Sequence, residues 1–311
     1  MREISLAFGP NRSLVGTLTL PFSLNTSIVP ALGLVLFNSG VVHRIGVHRI
    51  NVKLARRLAK HGIPSIRFDL QGSGDSLRSE VGSDYEKQTV FDIRAAIDCL
   101  QFSTNIQSFA VLGFCSGGMP TFLAAHIDFR IQSIILFDAF DLQTKKQRVR
   151  FLWTRLRAHG MGLRALLLYL QRSARLATVP LNFIKLLFTH DLHATGNSHE
   201  SKVVNRNFLT GLHQLADNGV NIIIMHAGGD FSSVNYEGQF KDAIHDLFVA
   251  DKMHFHLLAA SDHEVTSTSS QKIFIDFICT QLLGLPSHRM MESTNLEPLT
   301  SPPTPKDSHL A

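Results

Sequence analysis

Apolar and polar positions alternate between two periods along the chain. Residues 3–8 and 14–20 run apolar or alternate around Gly9-Pro10-Asn11, which predicts a β-hairpin. Ala31-Leu-Gly-Leu-Val-Leu-Phe37 is a short continuous apolar run ended by Asn38-Ser39-Gly40, the pattern of a strand buried on both faces. Residues 46–61 place Ile50, Leu54, Ala55 and Leu58 at helical spacing, with Gly62 as the stop. A strand over 63–69 and the loop Gln71-Gly-Ser-Gly-Asp-Ser76 follow. The same reading predicts a helix over 84–102, a strand over 108–112, a helix over 117–126 and a strand over 131–137. After an interruption the order resumes, with helices at 205–218, 236–248 and 268–283 and strands at 220–226 and 253–259. Alternating strands and helices require a doubly wound, mostly parallel sheet.

The interruption divides the chain. Residues 1–140 and 205–285 form the two parts of one α/β core, and 141–204 form a basic helical cap. From Asp141 to Phe188 that cap carries ten Lys and Arg, from Lys145 to Lys185, against the single acid Asp141. Residues 286–311 hold five prolines among Ser and Thr, the composition of a disordered tail.

Composition narrows the class. The 311 residues are 44% hydrophobic and 18% charged, which excludes wholesale disorder. The excess of 30 Lys+Arg over 25 Asp+Glu is concentrated in the cap. Three cysteines are too few for a disulfide scaffold and fit a reducing compartment. The first ten residues lack the apolar run of a signal peptide, and no stretch reads as a bilayer span, so the expected setting is the cytoplasm. Few aromatics interleave the basic charges, which argues against nucleic acid as a partner.

The sharpest chemical signal is Gly113-Phe-Cys115-Ser-Gly117-Gly118, at the end of an apolar strand and the start of a helix. A nucleophile on such a turn needs small residues two positions before and after it. Gly113 and Gly117 satisfy this for Cys115, whereas a nucleophilic Ser116 would have Phe114 as its flank. A base and an orienting acid are expected downstream. Ile222-Ile-Ile-Met-His-Ala-Gly-Gly-Asp230 and Leu257-Leu-Ala-Ala-Ser-Asp-His263 are strands running into loops at the same sheet edge, so Asp230 and His263 complete a triad. Asp138, after the strand 131–137, is the rival acid. The N–H groups of Ser116 and of Gly40 and Val41 are the candidate oxyanion donors. Arg44 and Arg49 follow that loop and are candidates for an anionic substrate group, or else surface residues at a helix start. His43 and His48, and His254 and His256, match no helical metal spacing, so no metal or cofactor is expected. Cys99 and Cys279 sit on apolar helix faces.

These runs resemble a known family. Asn38-Ser-Gly40, His43-Arg44-Ile-Gly46-Val-His48-Arg49 and Phe68-Asp69-Leu-Gln-Gly72-Ser-Gly74-Asp75-Ser76 look like the α/β-hydrolase superfamily. Within it they resemble the exosortase-system-associated hydrolases of bacterial surface-polymer gene clusters, which are similar also in a Gly-x-Cys-x-Gly elbow. Gln71 departs from the Arg usual in that group. The resemblance implies the α/β-hydrolase fold and its catalytic machinery over roughly residues 30–140 and 220–285, and does not extend to the cap. With the Cys115 elbow, the expected activity is hydrolysis or transfer of an acyl group from an ester or thioester through an acyl-Cys intermediate. The alternative is an inactive protein of the same fold that uses its basic cap against an acidic partner, a membrane surface or polysaccharide-synthesis machinery.

Overall fold

A computed structural model describes residues 1–22, 32–40, 42–78, 84–140, 206–229, 238–243 and 252–285, with isolated positions between 144 and 150 and at 236. The expected cap and C-terminal tail therefore lie almost wholly outside the described residues.

The strands are β1 (Arg2–Phe8), β2 (Leu14–Leu20), β3 (Leu32–Phe37), β4 (Ser65–Asp69), β5 (Ser108–Phe114), β6 (Ile131–Phe137), β7 (Asn221–Ala227) and β8 (Met253–Leu258). The helices are α1 (Ile50–Lys60), α2 (Tyr85–Thr104), α3 (Gly118–Ile127), α4 (Arg206–Asp217), α5 (Gln239–Ala243) and α6 (Thr268–Leu283). One eight-stranded sheet has the order β1-β2-β4-β3-β5-β6-β7-β8. β1 and β2 join antiparallel, and every neighbour from β4 to β8 is parallel. The doubly wound, mostly parallel sheet expected from the alternating pattern is the one found.

Period-2 alternation distributes the core between the two faces of this sheet. Leu34, Leu36, Ile135, Phe137, Ile223 and Met225 pack on one face against Ile50, Leu54 and Leu58 of α1 and Phe274, Ile278 and Leu282 of α6. Val35, Phe37, Val111, Ile134, Leu136 and Ile224 pack on the other, against Ile93, Ile97 and Leu100 of α2 and Leu212 of α4. With helices on both sides, the central strands are buried throughout, which is why β3 and the Ile222–Met225 stretch of β7 read as apolar runs.

Boundaries moved where local chemistry outweighed periodicity. The helix expected from residue 46 begins as α1 only at Ile50, because Gly46, His48 and Arg49 all have positive φ and break the helical path. α2 starts where Asp84 accepts hydrogen bonds from the N–H of Glu86 (3.1 Å) and Lys87 (3.4 Å). β5 runs two residues past its expected end, to Phe114, and so delivers Cys115 directly from the strand. The helix expected over 236–248 is described only for Gln239–Ala243. No helix among the described residues is long and apolar enough to cross a membrane.

Candidate active site

Parallel strands bring their C-terminal ends to one edge, and the candidate chemistry collects there. Cys115 follows β5 and opens a short 3-10 turn (Cys115–Gly117) leading into α3. Its φ is 50°, left-handed backbone unusual for a residue with a side chain. The surrounding glycines make this sharp turn possible. A Cβ on Gly113 would stand 2.6 Å from both the Gly117 carbonyl oxygen and Thr121 Oγ1, and one on Gly118 would stand 2.1 Å from Ala139 Cβ. At the helix start, backbone N–H groups lack intrahelical partners and favour negative charge on the thiol.

His263, in the loop after β8, is hydrogen-bonded to Cys115. Its Nδ1 lies 2.9 Å from Asp138 Oδ2, which leaves Nε2 for the sulfur. Phe114 packs edge-on against the imidazole with centroids 5.9 Å apart. The hydrogen bond to Asp138, then that to Cys115, raise the His263 pKa from 6.5 to about 10, against the opposing effect of burial. The ring is therefore an imidazolium at neutral pH, hydrogen-bonded to Cys115. Burial by itself would raise the Asp138 carboxyl, but hydrogen bonds from His226 and His263 outweigh it and hold the group below the usual range. Asp138 Oδ1 also accepts the N–H of Ala227 at 2.9 Å.

Asp138, the rival, stands behind His263, while Asp230 lies outside the described residues. Asp138 leaves the end of β6 with φ 46°, and this left-handed step lets its side chain meet both His226 and His263. Sequence reasoning missed His226 altogether. The available signal was one imidazole at the end of the apolar run Ile222-Ile-Ile-Met225, where the strand is fully buried.

The expected oxyanion donors are only partly in place. Ser116 lies at the helix start, with its backbone N–H in the orphaned first turn. The Gly40 N–H donates to Ser116 Oγ at 3.0 Å, so Gly40 is not an open donor in this arrangement. Val41 lies outside the described residues.

Arg44 is tied into a carboxylate cluster between two loops. Its guanidinium donates to Asp69, to Asp75 at 2.7 Å and to His43 Nε2 at 2.7 Å, and its N–H donates to Asp69 Oδ1 at 2.6 Å. The Arg44 side chain is 12% exposed and Asp69 is fully buried. A Cβ on Gly74 would stand 2.3 Å from Asp69 Cγ, so the glycine lets this loop close over the carboxylate. His43, Asp69 and Asp75 bring three ligand-type atoms within 4.8 Å of one another, but the guanidinium is bonded to all three and already supplies the cation. Arg49 is exposed, sits at the N-terminal end of α1 with φ 62° and has no ion pair among the described residues. It is the surface residue at a helix start that the sequence also allowed. His256 stacks on Phe277, with centroids 4.0 Å apart, and His254 is exposed on the same strand.

A cavity of about 320 Å³ opens over Cys115, Ser116 and His263, with apolar walls from Phe37, Val42, Val47, Ile50 and Phe114. A larger cleft of about 1050 Å³ lies between the Gly9-Pro10 turn and α2. It contains Cys99 and acidic and basic side chains, but no thiol–imidazole pair. Volume alone would favour the larger cleft; the chemistry is in the smaller one.

Comparisons with known proteins agree with this architecture. The family model described as the alpha/beta hydrolase fold matches residues 33–160. The fold is that of the α/β-hydrolases. A serine hydrolase described as lacking a lid, from Xanthomonas campestris, superposes on this α/β-hydrolase fold with a TM-score of 0.50 and 12% identity, over 92% of this chain and 96% of its own. An α/β serine hydrolase homologue from Coxiella burnetii gives 0.50 and 12%, over 90% and 97%. Est1E from Butyrivibrio proteoclasticus, solved with ferulic acid, gives 0.50 and 13%, over 87% and 94%. No curated protein matches the chain in sequence.

Proposed function

We propose that the protein is an acyl-processing hydrolase in which Cys115 is the nucleophile, His263 the acid and base, and Asp138 the residue that orients His263. The observation that carries this reading is the hydrogen-bonded series Cys115–His263–Asp138 at a left-handed strand-to-helix turn. The thiolate attacks the carbonyl carbon of an ester or thioester, and the Ser116 N–H stabilises the oxyanion. The imidazolium gives its proton to the leaving alcohol or thiol as the acyl-Cys thioester forms. Neutral His263 then removes a proton from water, the hydroxide attacks the thioester, and collapse releases the carboxylic acid and restores the ion pair. An alcohol in place of water would make the same site an acyltransferase.

The apolar walls of the 320 Å³ cavity suit the hydrocarbon part of an acyl group. Two similar folds are described as serine hydrolases, which supports hydrolysis, although this chain carries a thiol at its elbow. The resemblance of residues 38–76 to exosortase-associated hydrolases supports a surface-polymer setting for the substrate.

Intact-protein mass spectrometry tests the reading directly. After incubation with a ladder of acyl thioesters and activated esters, wild type should gain the acyl mass and Cys115→Ala should not. An adduct that persists in Cys115→Ala, or turnover retained by it, rejects Cys115 as the nucleophile.

A further inference from the structure

β7 is apolar from Ile222 to Met225, yet it ends on an imidazole that is 1% exposed. His226 Nδ1 lies 3.1 Å from Asp138 Oδ1. A carboxylate can only accept, so Nδ1 carries the proton. On the opposite side of the ring, Nε2 is buried and has no hydrogen-bond partner among the described residues. Phe140 meets the ring edge-on, with centroids 5.4 Å apart, and Phe255 lies at 5.9 Å. The Nδ1–H contact to the carboxylate and the aromatic walls therefore fix the orientation of the ring.

The consequence lies at Asp138. Oδ1 is taken by His226 and by the Ala227 N–H, both from β7, and Oδ2 remains for His263. We infer that His226 is a positioning residue: its Nδ1–H holds Asp138 Oδ1 so that the carboxylate stays ionised and presents Oδ2 to His263. The active series thus has four members, His226–Asp138–His263–Cys115, of which only the last two meet substrate. This rests on the reading of Cys115 and His263 as the reactive pair. Among the described residues, the titratable groups around Asp138 are His226 from β7 and His263 from the loop after β8, with Cys115 beyond His263.

The test needs no knowledge of the substrate. Alkylation of Cys115 by iodoacetamide is followed against pH in the full chain by mass spectrometry of the modified peptide. In His226→Leu, Asp138 loses one donor and protonates at higher pH, so the acid-side midpoint of alkylation should rise by about one pH unit. His226→Asn places an amide N–H close to the former Nδ1–H and should return the midpoint to within about 0.3 unit of wild type. An unchanged midpoint in a folded His226→Leu overturns the inference, as does an Asn variant shifted as far as the Leu variant. Nitrogen-15 NMR of the wild type gives an answer even if the leucine variant does not fold. His226 should carry a proton on Nδ1, and an Nε2–H tautomer with a bare Nδ1 overturns the proposal. A wild-type Cys115 no more reactive than Cys99 and Cys279 would instead reject the proposed function, and the tautomer would still decide the His226 contact.

Discussion

Two buried carboxylates stand at the C-terminal ends of parallel strands in this sheet and serve different ends. Asp69 closes β4 and Asp138 follows β6. Asp69 is fully buried and bonded to Arg44, a guanidinium that keeps its charge at any working pH. Asp138 is 13% exposed and bonded to two imidazoles, one of them bordering the cavity. The Arg44 cluster ties the loop after β3 to the loop after β4, and none of its side chains lines the cavity over Cys115. The His263 cluster reaches that cavity through its imidazole. Partner chemistry and access to the cavity, rather than the carboxylate or its place on the strand, separate a clamp from a candidate active site.

Substitutions should divide along that line. Cys115→Ala should have the largest effect on turnover, a loss of at least about 10³-fold in kcat, with the melting temperature little changed. Asp138→Asn should follow at about 10²–10⁴-fold, because an amide can leave His263 in the wrong tautomer. Both are read by hydrolysis of activated thioesters and by thermal unfolding. Asp69→Ala should reverse the pattern, lowering stability by about 3 kcal/mol through loss of the fully buried partner of Arg44, as measured by denaturant unfolding. If Asp69→Ala cost activity alone while Asp138→Asn cost stability alone, the distinction between the two clusters would collapse.

A smaller effect concerns pH. Burial pushes the Cys279 thiol up to about 11 and also raises that of Cys99, whereas Cys115 is hydrogen-bonded to His263. Near pH 7, iodoacetamide should therefore modify Cys115 well ahead of the other two, as read by peptide mapping. For His263 the folded pKa lies above the unfolded one, so its contribution to stability is complete below about 6.5 and is lost as pH rises toward about 10. His263→Ala should flatten the alkaline side of the stability curve. The smallest effect belongs to Asp230→Asn, whose kcat should stay within about twofold of wild type if Asp138 is the acid. A loss equal to that of Asp138→Asn would return the role to Asp230.

Much of this was legible in the chain. Continuous apolar runs in β3 and β7 announced strands covered on both faces, and Gly113 and Gly117 marked the strand-to-helix turn that bears Cys115 because spacing along one turn is a local property. The sequence offered Arg44 as a substrate contact or a surface residue, and neither reading named its carboxylate partners. Its partners, Asp69 and Asp75, are 25 and 31 residues away and meet it only when the two loops fold together.

Sequence by itself determined the sheet class, the turn that bears the thiol and the loop that bears His263, since each follows from short-range pattern and turn chemistry. Only the tertiary structure decided that Asp138 stands behind His263, that His226 lies behind Asp138 and that Ser116 Oγ engages the Gly40 N–H. Those contacts join residues 76 to 125 positions apart. Sequence spacing carries no distance across such gaps; strand order and the left-handed step at Asp138 do.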